Sequence, residues 1–504
     1  MFAQKISDAL YYVGVNDRKN ELFERMISLP HGVTYNSYLL VDEKVTLFDS
    51  VEICYAEESI DKIRRVLGER KVDYMILHHI EPDHSSGIRQ YLAVYPDMQL
   101  FCTKKAAEML QGYYGVTANI KTVDEGEELS LGSHKLKFIF APMVHWPEVM
   151  MSYEQTEKIL FSADGFGCFH TLDGAVVDRQ LNIEPYIAEM ERYYVNIIGK
   201  YGLPVQNVLK KLAAYSIDTI CSLHGPVWQE HKDRVMGVYD RLSKYEGAEG
   251  VVIVYGSMYS HTEAMAEAIA CGAHEITKNV VVHDASKSDV SQIITDIFRY
   301  KGFVVGSPTY NGVIYPRVQE VVERIEHRGL KNRVFAAFGS FTWAGQAVKL
   351  LNEFGQRMKY DVIAPIEVKY TMQGDDDYNR FYSLGREVAL KSKNKKNGGD
   401  GFCIKEAKNS LVSFYVCSPP LMDITSPVIY AALSDTRNAT KSATSSALPK
   451  RPVGISFFSS ASFRSLVISL SMKPGAITFT VTFLLATSSA NALEAPVSAA
   501  FAAE

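Results

Sequence analysis

Four potential metal ligands fall within six residues of this chain, His79-Ile80-Glu81-Pro82-Asp83-His84, at the end of the apolar run VDYMILHH. In an extended segment, residues two apart point the same way. His79, Glu81 and Asp83 can therefore converge while His84 faces a second position. Alone, the hexapeptide could be a solvated polar turn. Three further residues speak for a metal centre. His145 follows KFIFAPMV, Asp164 closes KILFSA, and His224 closes TICSL, and each is followed within two residues by Pro or Gly. Four apolar strands thus each deliver an imidazole or a carboxylate at the carboxyl end, the edge where open α/β sheets build their sites.

A second set of residues suits a phosphate and a planar ring. Ser257-Met258-Tyr259-Ser260-His261-Thr262 lies between the strand-like VVIVYG and the helical run EAMAEAIA. Hydroxyls and backbone N–H groups at a helix N-terminus make an anion site backed by the helix dipole. No Lys or Arg lies within it, which suits FMN, and the GxGxxG that a dinucleotide favours is absent. Two later segments, Ser307-Pro308-Thr309-Tyr310-Asn311-Gly312 and Phe338-Gly339-Ser340-Phe341-Thr342-Trp343-Ala344-Gly345, each follow an apolar strand. Their small residues can admit the backbone to the polar edge of an isoalloxazine ring, and their aromatics can cover its faces.

The elements that must position these residues divide the chain. Residues 1–245 read as one α/β unit of many short strands, among them KVTLFDS, VDYMILHH, LKFIFAP, KILFSAD and DTICSLHG. RLSKYEGAEG (241–250) reads as a hinge. From VVIVYGS onward strand, loop and helix alternate, which predicts a doubly wound parallel sheet over 249–396. Residues 401–504 differ in kind, with 13 charged residues in 104 against 98 in the first 400. This Ser- and Ala-rich tail offers no sustained period and reads as a disordered extension or a misread of the coding sequence.

Length and composition bound the function. The 504 residues suffice for two to four domains, and the formal net charge of −5 points to neither nucleic acid nor an anionic membrane. Seven scattered cysteines (54, 102, 168, 221, 271, 403, 417) contain no CxxC pair, which argues against a zinc ribbon or a built-in rubredoxin and for a reducing, cytoplasmic setting. The N-terminus lacks a secretory apolar stretch, and the uncharged run from Pro474 to Leu493 is diluted by Thr, Ser, Asn and Gly, so no membrane span is expected.

The order HxxxDH, then His, Asp and His after later strands, resembles the metallo-β-lactamase fold, an αββα sandwich with two metals. Hydrolases of that fold mostly read HxHxDH. Here Glu81 stands at the third position, and HxExDH resembles the flavodiiron proteins. The extra carboxylate makes the site harder and more anionic, favouring iron over redox-silent zinc. The three later loops resemble a flavodoxin. The resemblance covers residues 1–396 in the family's domain order, and the stretches Thr34-Tyr35-Asn36-Ser37-Tyr38 and Tyr193-Tyr194-Val195-Asn196 also resemble it.

The resemblance implies a metallo-β-lactamase-like diiron domain followed by a flavodoxin-like FMN domain. His79, Glu81, His145 and a bridging Asp164 would hold one iron; Asp83, His84, Asp164 and His224 would hold the other. Tyr194 would be a donor near the irons or a packed core tyrosine, and Trp343 would lie between flavin and iron. The implied activity is reduction of O2 to water, NO to N2O, or both, in a head-to-tail homodimer. The electron donor would be external: rubredoxin, a reduced deazaflavin or a flavoprotein reductase. Two other readings are a β-lactamase-fold hydrolase with an accessory flavodoxin domain and an electron carrier with a degenerate metal site. Glu81 opposes the first, and the second needs a missing ligand where none is missing.

Overall fold

The computed structural model describes residues 2–393 and the backbone of four strands between 454 and 501. In the first half, a seven-stranded and a five-stranded sheet lie in layers, and strand alternation shows why. Leu47, Met75 and Leu100 face one core with Ile60, Ile63 and Leu67 of the helix Ala56–Leu67. Their neighbours Phe48, Ile76 and Phe101 face the opposite way, into a core shared with Phe138 and Phe161 of the other sheet. Successive side chains on a strand alternate sides, so an all-apolar strand must be covered twice. The strands Thr46–Phe48, Tyr74–Ile76 and Gln99–Cys102 run parallel, as do Ile159–Phe161 and Thr219–Cys221. The expected αββα sandwich is what forms.

The second half is a parallel sheet in the order Val280–Asp284, Ala248–Tyr255, Tyr300–Tyr310, Val334–Phe341, Asp361–Val362, with Ile366–Lys369 also paired to Val334–Phe341. Helices His261–His274 and Gly374–Ser392 cover one face, and Val290–Arg299, Pro316–His327 and Ala347–Arg357 cover the other. This is the doubly wound arrangement expected. The first two of these helices meet through glycines: a Cβ on Gly272 would lie 1.9 Å from the Tyr382 carbonyl oxygen, and one on Gly385 would lie 1.9 Å from that of Ile269. Gly272→Ala must push the helices apart. We expect about 3 kcal/mol of lost stability, the upper part of the usual range for overpacking, read as earlier urea unfolding; a loss under about 1 kcal/mol would show that the helices separate freely.

Two expectations need correction. Residues 241–250 are not a free hinge, because the described residues on either side of them belong to one compact unit. Arg192 donates to Ser291 Oγ at 3.0 Å, Arg299 pairs with Glu191 at 2.8 Å, and Arg328 donates to the Val195 carbonyl at 2.9 Å. Arg333 donates to the carbonyl of Tyr245 within the supposed hinge, at 2.7 Å. Leu242, Ser243 and Tyr245 of that segment are buried.

The tail is the second case. Gly454–Phe458, Arg464–Lys473, Ala476–Leu485 and Pro496–Phe501 form an antiparallel meander. Its signal is the strict alternation Ile477-Thr-Phe-Thr-Val-Thr-Phe483, which low charge had obscured. The rest of 401–504 lies outside the described residues. Among the described residues no helix is long and apolar enough to cross a membrane.

Candidate metal centre and flavin edge

Each strand that ends at the common edge releases its ligand where the chain turns. His79 follows Tyr74–Ile76, His145 follows Lys135–Phe140, Asp164 follows Ile159–Phe161 and His224 follows Thr219–Cys221. Two ligand clusters result, His79-Glu81-His145-Asp164 and Asp83-His84-His224. Glu81 Oε2 lies 3.2 Å from His79 Nε2 and 3.1 Å from His145 Nε2. Asp164 divides its oxygens between the clusters: Oδ2 is 3.1 Å from His145 Nε2, while Oδ1 is 3.1 Å from His84 Nε2 and 3.7 Å from His224 Nε2. Asp83 Oδ2 is 3.3 Å from His84 Nε2 and 3.4 Å from His224 Nε2.

The structure brings all seven candidates together, and the donor set fits cations. The ring nitrogens of His84 and His224 face each other at 3.1 Å, and Asp83 Oδ1, Asp83 Oδ2 and Asp164 Oδ1 are buried without a hydrogen-bond donor. Buried carboxylate oxygens left unpaired are costly, and a positive ion among them removes that cost. The protonation pattern tells the same story. Burial raises Asp83 to about 7, and burial together with His84 lowers His224 to about 4. Burial alone would lower His145, but hydrogen bonds to Asp164 and Glu81 outweigh it and raise it to about 9.

Support comes from residues with no signature in the sequence. Glu148 accepts the His79 Nδ1–H at 2.7 Å and the Ile80 N–H at 3.1 Å, which fixes the tautomer that turns Nε2 inward. The Thr34 carbonyl oxygen does the same for His224 Nδ1 at 2.6 Å. His78, beside His79, points the other way by strand alternation and pairs with Asp49 at 2.5 Å. Glu81 and Asp83 open onto a cavity of about 630 Å³ whose wall includes Phe23, Glu24 and Tyr35. Glu24, Arg25 and Met26 form the three-residue turn of the hairpin Leu22–Phe23/Ile27–Ser28, and Glu24 and Arg25 both have positive φ (47° and 57°). Positive φ favours Gly or Asn, and with Glu and Arg there instead the hairpin carries no turn signal in the sequence.

Tyr194 is buried. Its ring packs on Tyr239 at 4.9 Å between centroids, whereas Tyr193 lies 5.4 Å from the His224 ring with its hydroxyl buried and unpaired. Consecutive helical residues differ by about 100° in direction, so only one of the pair can face the ligands. The contacts of Tyr194 are those of a packed core tyrosine.

At the carboxyl edge of the second sheet, the three flavin segments come together. Ser257 to Ser260 link the strand Ala248–Tyr255 to the helix starting at His261, and Thr262 is buried in its first turn. Met258, Tyr259 and His261 are exposed. Ser307-Pro308-Thr309-Tyr310 end a strand, and Asn311-Gly312 (φ 51° and 77°) turn it back on Val313–Ile314. Gly339, Ser340 and Phe341 also end a strand, and Thr342 to Gly345 form the loop beyond it. A Cβ on Gly339 would lie 2.0 Å from the Ser307 carbonyl oxygen, so two backbones touch where the ring is expected. Thr309 Oγ1 accepts the N–H groups of Gln346 and Ala347 at 3.0 and 3.1 Å, tying the second segment to the third. Ser257 Oγ is buried and has no partner, which suits a loop shaped for phosphate oxygens. Trp343 is 89% exposed.

Known proteins agree with both halves. Residues 33–225 match the family described as ODP family beta lactamase, and residues 253–381 match flavodoxin. The nitric oxide reductase of Moorella thermoacetica is 33% identical over 392 residues, covering 77% of this chain and 98% of that protein. The flavodiiron protein from Giardia intestinalis superposes with a TM-score of 0.75 at 28% identity, covering 78% of this chain and 97% of that one. Rubredoxin oxygen:oxidoreductase from Desulfovibrio gigas gives 0.74 at 29%, covering 77% and 98%. With a sandwich whose strand ends gather two ligand clusters, a flavodoxin-like sheet after it and relatives matched over nearly their whole length, the chain belongs to the flavodiiron proteins.

Proposed function

We propose that the chain is an oxidoreductase that reduces O2, NO or both at a diiron centre with electrons relayed by FMN. The observation that carries this reading is Asp164, whose two oxygens face two separate clusters of imidazole and carboxylate donors. His79, Glu81, His145 and Asp164 would hold one iron; Asp83, His84, Asp164 and His224 the other. Residues 1–245 would carry the irons and residues 249–396 the FMN, with Ser257 to Thr262 on its phosphate and the segments 307–312 and 339–345 around its ring. Irons so held supply redox chemistry toward small ligands, and FMN supplies electrons singly or in pairs.

The side chains do the positioning. Glu148 and the Thr34 carbonyl orient imidazoles from behind, and the cavity beside Glu81 and Asp83 leaves room for a small substrate. The exposed Tyr259 and Trp343 support a homodimer, since large aromatics beside a cofactor edge mark a surface that another molecule covers. A head-to-tail pairing would set one chain's flavin edge against its partner's metal edge. The donor would be external, of the rubredoxin kind that the name of the Desulfovibrio gigas protein carries, with a reduced deazaflavin or a flavoprotein reductase filling the same role. Five unpaired cysteines among the described residues accord with a reducing, cytoplasmic setting.

Metal and flavin analysis of the purified chain tests the reading. The ligand clusters lead us to expect about two irons and about one FMN per chain. A fully loaded zinc site without iron would instead favour the hydrolase.

A second measurement addresses Glu148. Glu148→Gln leaves an acceptor but removes the charge behind His79, so iron at that cluster should be held about 10- to 100-fold more weakly in chelator competition. Unchanged retention would make Glu148 a packing residue only.

A further inference from the structure

Among the described residues after Gly250, three buried side-chain polar atoms lack a hydrogen-bond partner: Ser257 Oγ, Tyr360 Oη and Glu367 Oε1. Ser257 belongs to the phosphate loop, and Tyr360 packs among the rings of Phe303, Phe335 and Phe354. Glu367 has no such explanation, and a buried carboxylate oxygen without a donor costs more than a hydroxyl in the same position.

Its place in the fold is specific. Glu367 lies on the strand Ile366–Lys369 in register with Gly339, level with the carboxyl edge where the flavin segments meet. The carboxyl runs against the third of these segments: a Cβ on Gly345 would lie 2.5 Å from Oε2 and 2.7 Å from Oε1. Glycine at 345 therefore leaves room for this carboxylate. Burial raises its pKa, as expected for an acid waiting for a donor.

The ring expected here has a matching group. The pyrimidine edge of oxidised FMN presents two carbonyl oxygens and a single donor, N3–H. Backbone N–H groups of the loops can serve the oxygens, but the donor needs an acceptor. We propose that Glu367 is a positioning residue for the flavin, accepting the pyrimidine N3–H on its free carboxylate oxygen beside Gly345. The inference rests on the reading of this half as the FMN carrier. A fixed negative charge there also disfavours the extra electron density of the reduced ring, so Glu367 should hold the flavin potential down.

The test uses the full chain, stripped of flavin and reconstituted with FMN or with N3-methyl-FMN, which lacks the donor. Wild type should bind FMN at least about tenfold more tightly than the methylated flavin, as a charge-assisted hydrogen bond implies. In Glu367→Ala that preference should vanish, with FMN itself bound at least about tenfold more weakly. Glu367→Gln keeps an acceptor oxygen and the side-chain shape, which guards against loss of fold. It should retain a preference for FMN while its flavin potential, measured by spectroelectrochemistry, moves positive. An equal methyl penalty in wild type and Glu367→Ala, or unchanged FMN affinity in Glu367→Ala, overturns the assignment. Failure of the wild-type chain to bind FMN at all overturns the cofactor reading beneath it.

Discussion

Asp164→Asn is expected to empty at least one iron position and cut O2 and NO consumption at least roughly 1,000-fold, because a bound metal contributes several kcal/mol of charge stabilisation and each ~1.4 kcal/mol is tenfold. The substitution preserves shape but turns one oxygen into an amide –NH2. Whichever way the amide sits, that –NH2 points either at His145 or at His84, whose ring nitrogens now lie 3.1 Å from the two carboxylate oxygens. Asp164→Ala should lose both irons. In each variant the flavin spectrum should stay intact, because Ser257 to Thr262 and the other flavin segments sit on a different sheet, one face of which has a core of its own. Loss of the yellow colour along with the iron would mean that the two sites are not separable as described. Retention of two irons in Asp164→Asn would remove Asp164 as the bridge.

Electron transfer is expected to cross between chains, and a mixed dimer is the direct test. One chain carries His79→Ala, which removes an imidazole from the first cluster. The other carries Ser257→Glu, which sets a negative charge where the phosphate should lie. Each parent homodimer should be inactive. The heterodimer keeps one intact flavin and one intact metal cluster on different chains, so a crossed arrangement restores one of two centres, about half the wild-type turnover per dimer. An inactive heterodimer with verified iron and FMN would confine transfer to a single chain. The head-to-tail pairing would then lose its rationale.

The candidate ligands are legible because strand ends announce themselves. An apolar run that stops at His or Asp and turns on Pro or Gly is a local pattern, and it occurs at His79, His145, Asp164 and His224. The layered and doubly wound folds follow from the same runs. What the sequence withheld was everything that tertiary contact alone decides. Glu148 lies 69 residues from His79, and Thr34 lies 190 from His224. Neither stands in a motif. The choice between Tyr193 and Tyr194 turns on the phase of one helix, which a Tyr-Tyr pair leaves open. Glu24 is hidden by a turn without its customary glycine, and Glu367 by being one acid on an unremarkable strand. In the tail, low charge and a Ser- and Ala-rich composition point one way and the alternation of Ile477 to Phe483 the other.

The contacts of Arg192, Arg299 and Arg328 between the two halves bear on the speed of electron delivery. Tunnelling rates fall steeply with the gap between donor and acceptor, and a swinging arm would let one chain shorten that gap by motion. Among the described residues the two halves belong to one compact unit. The Arg299–Glu191 pair stands on the helix Val290–Arg299, and Arg333 fastens the connecting segment at Tyr245. These contacts tie the half that bears the flavin edge to the half that bears the metal edge. If transfer crosses between chains as proposed, the surface that the partner presents would set the electron's path, and assembly would set the tempo of the reaction.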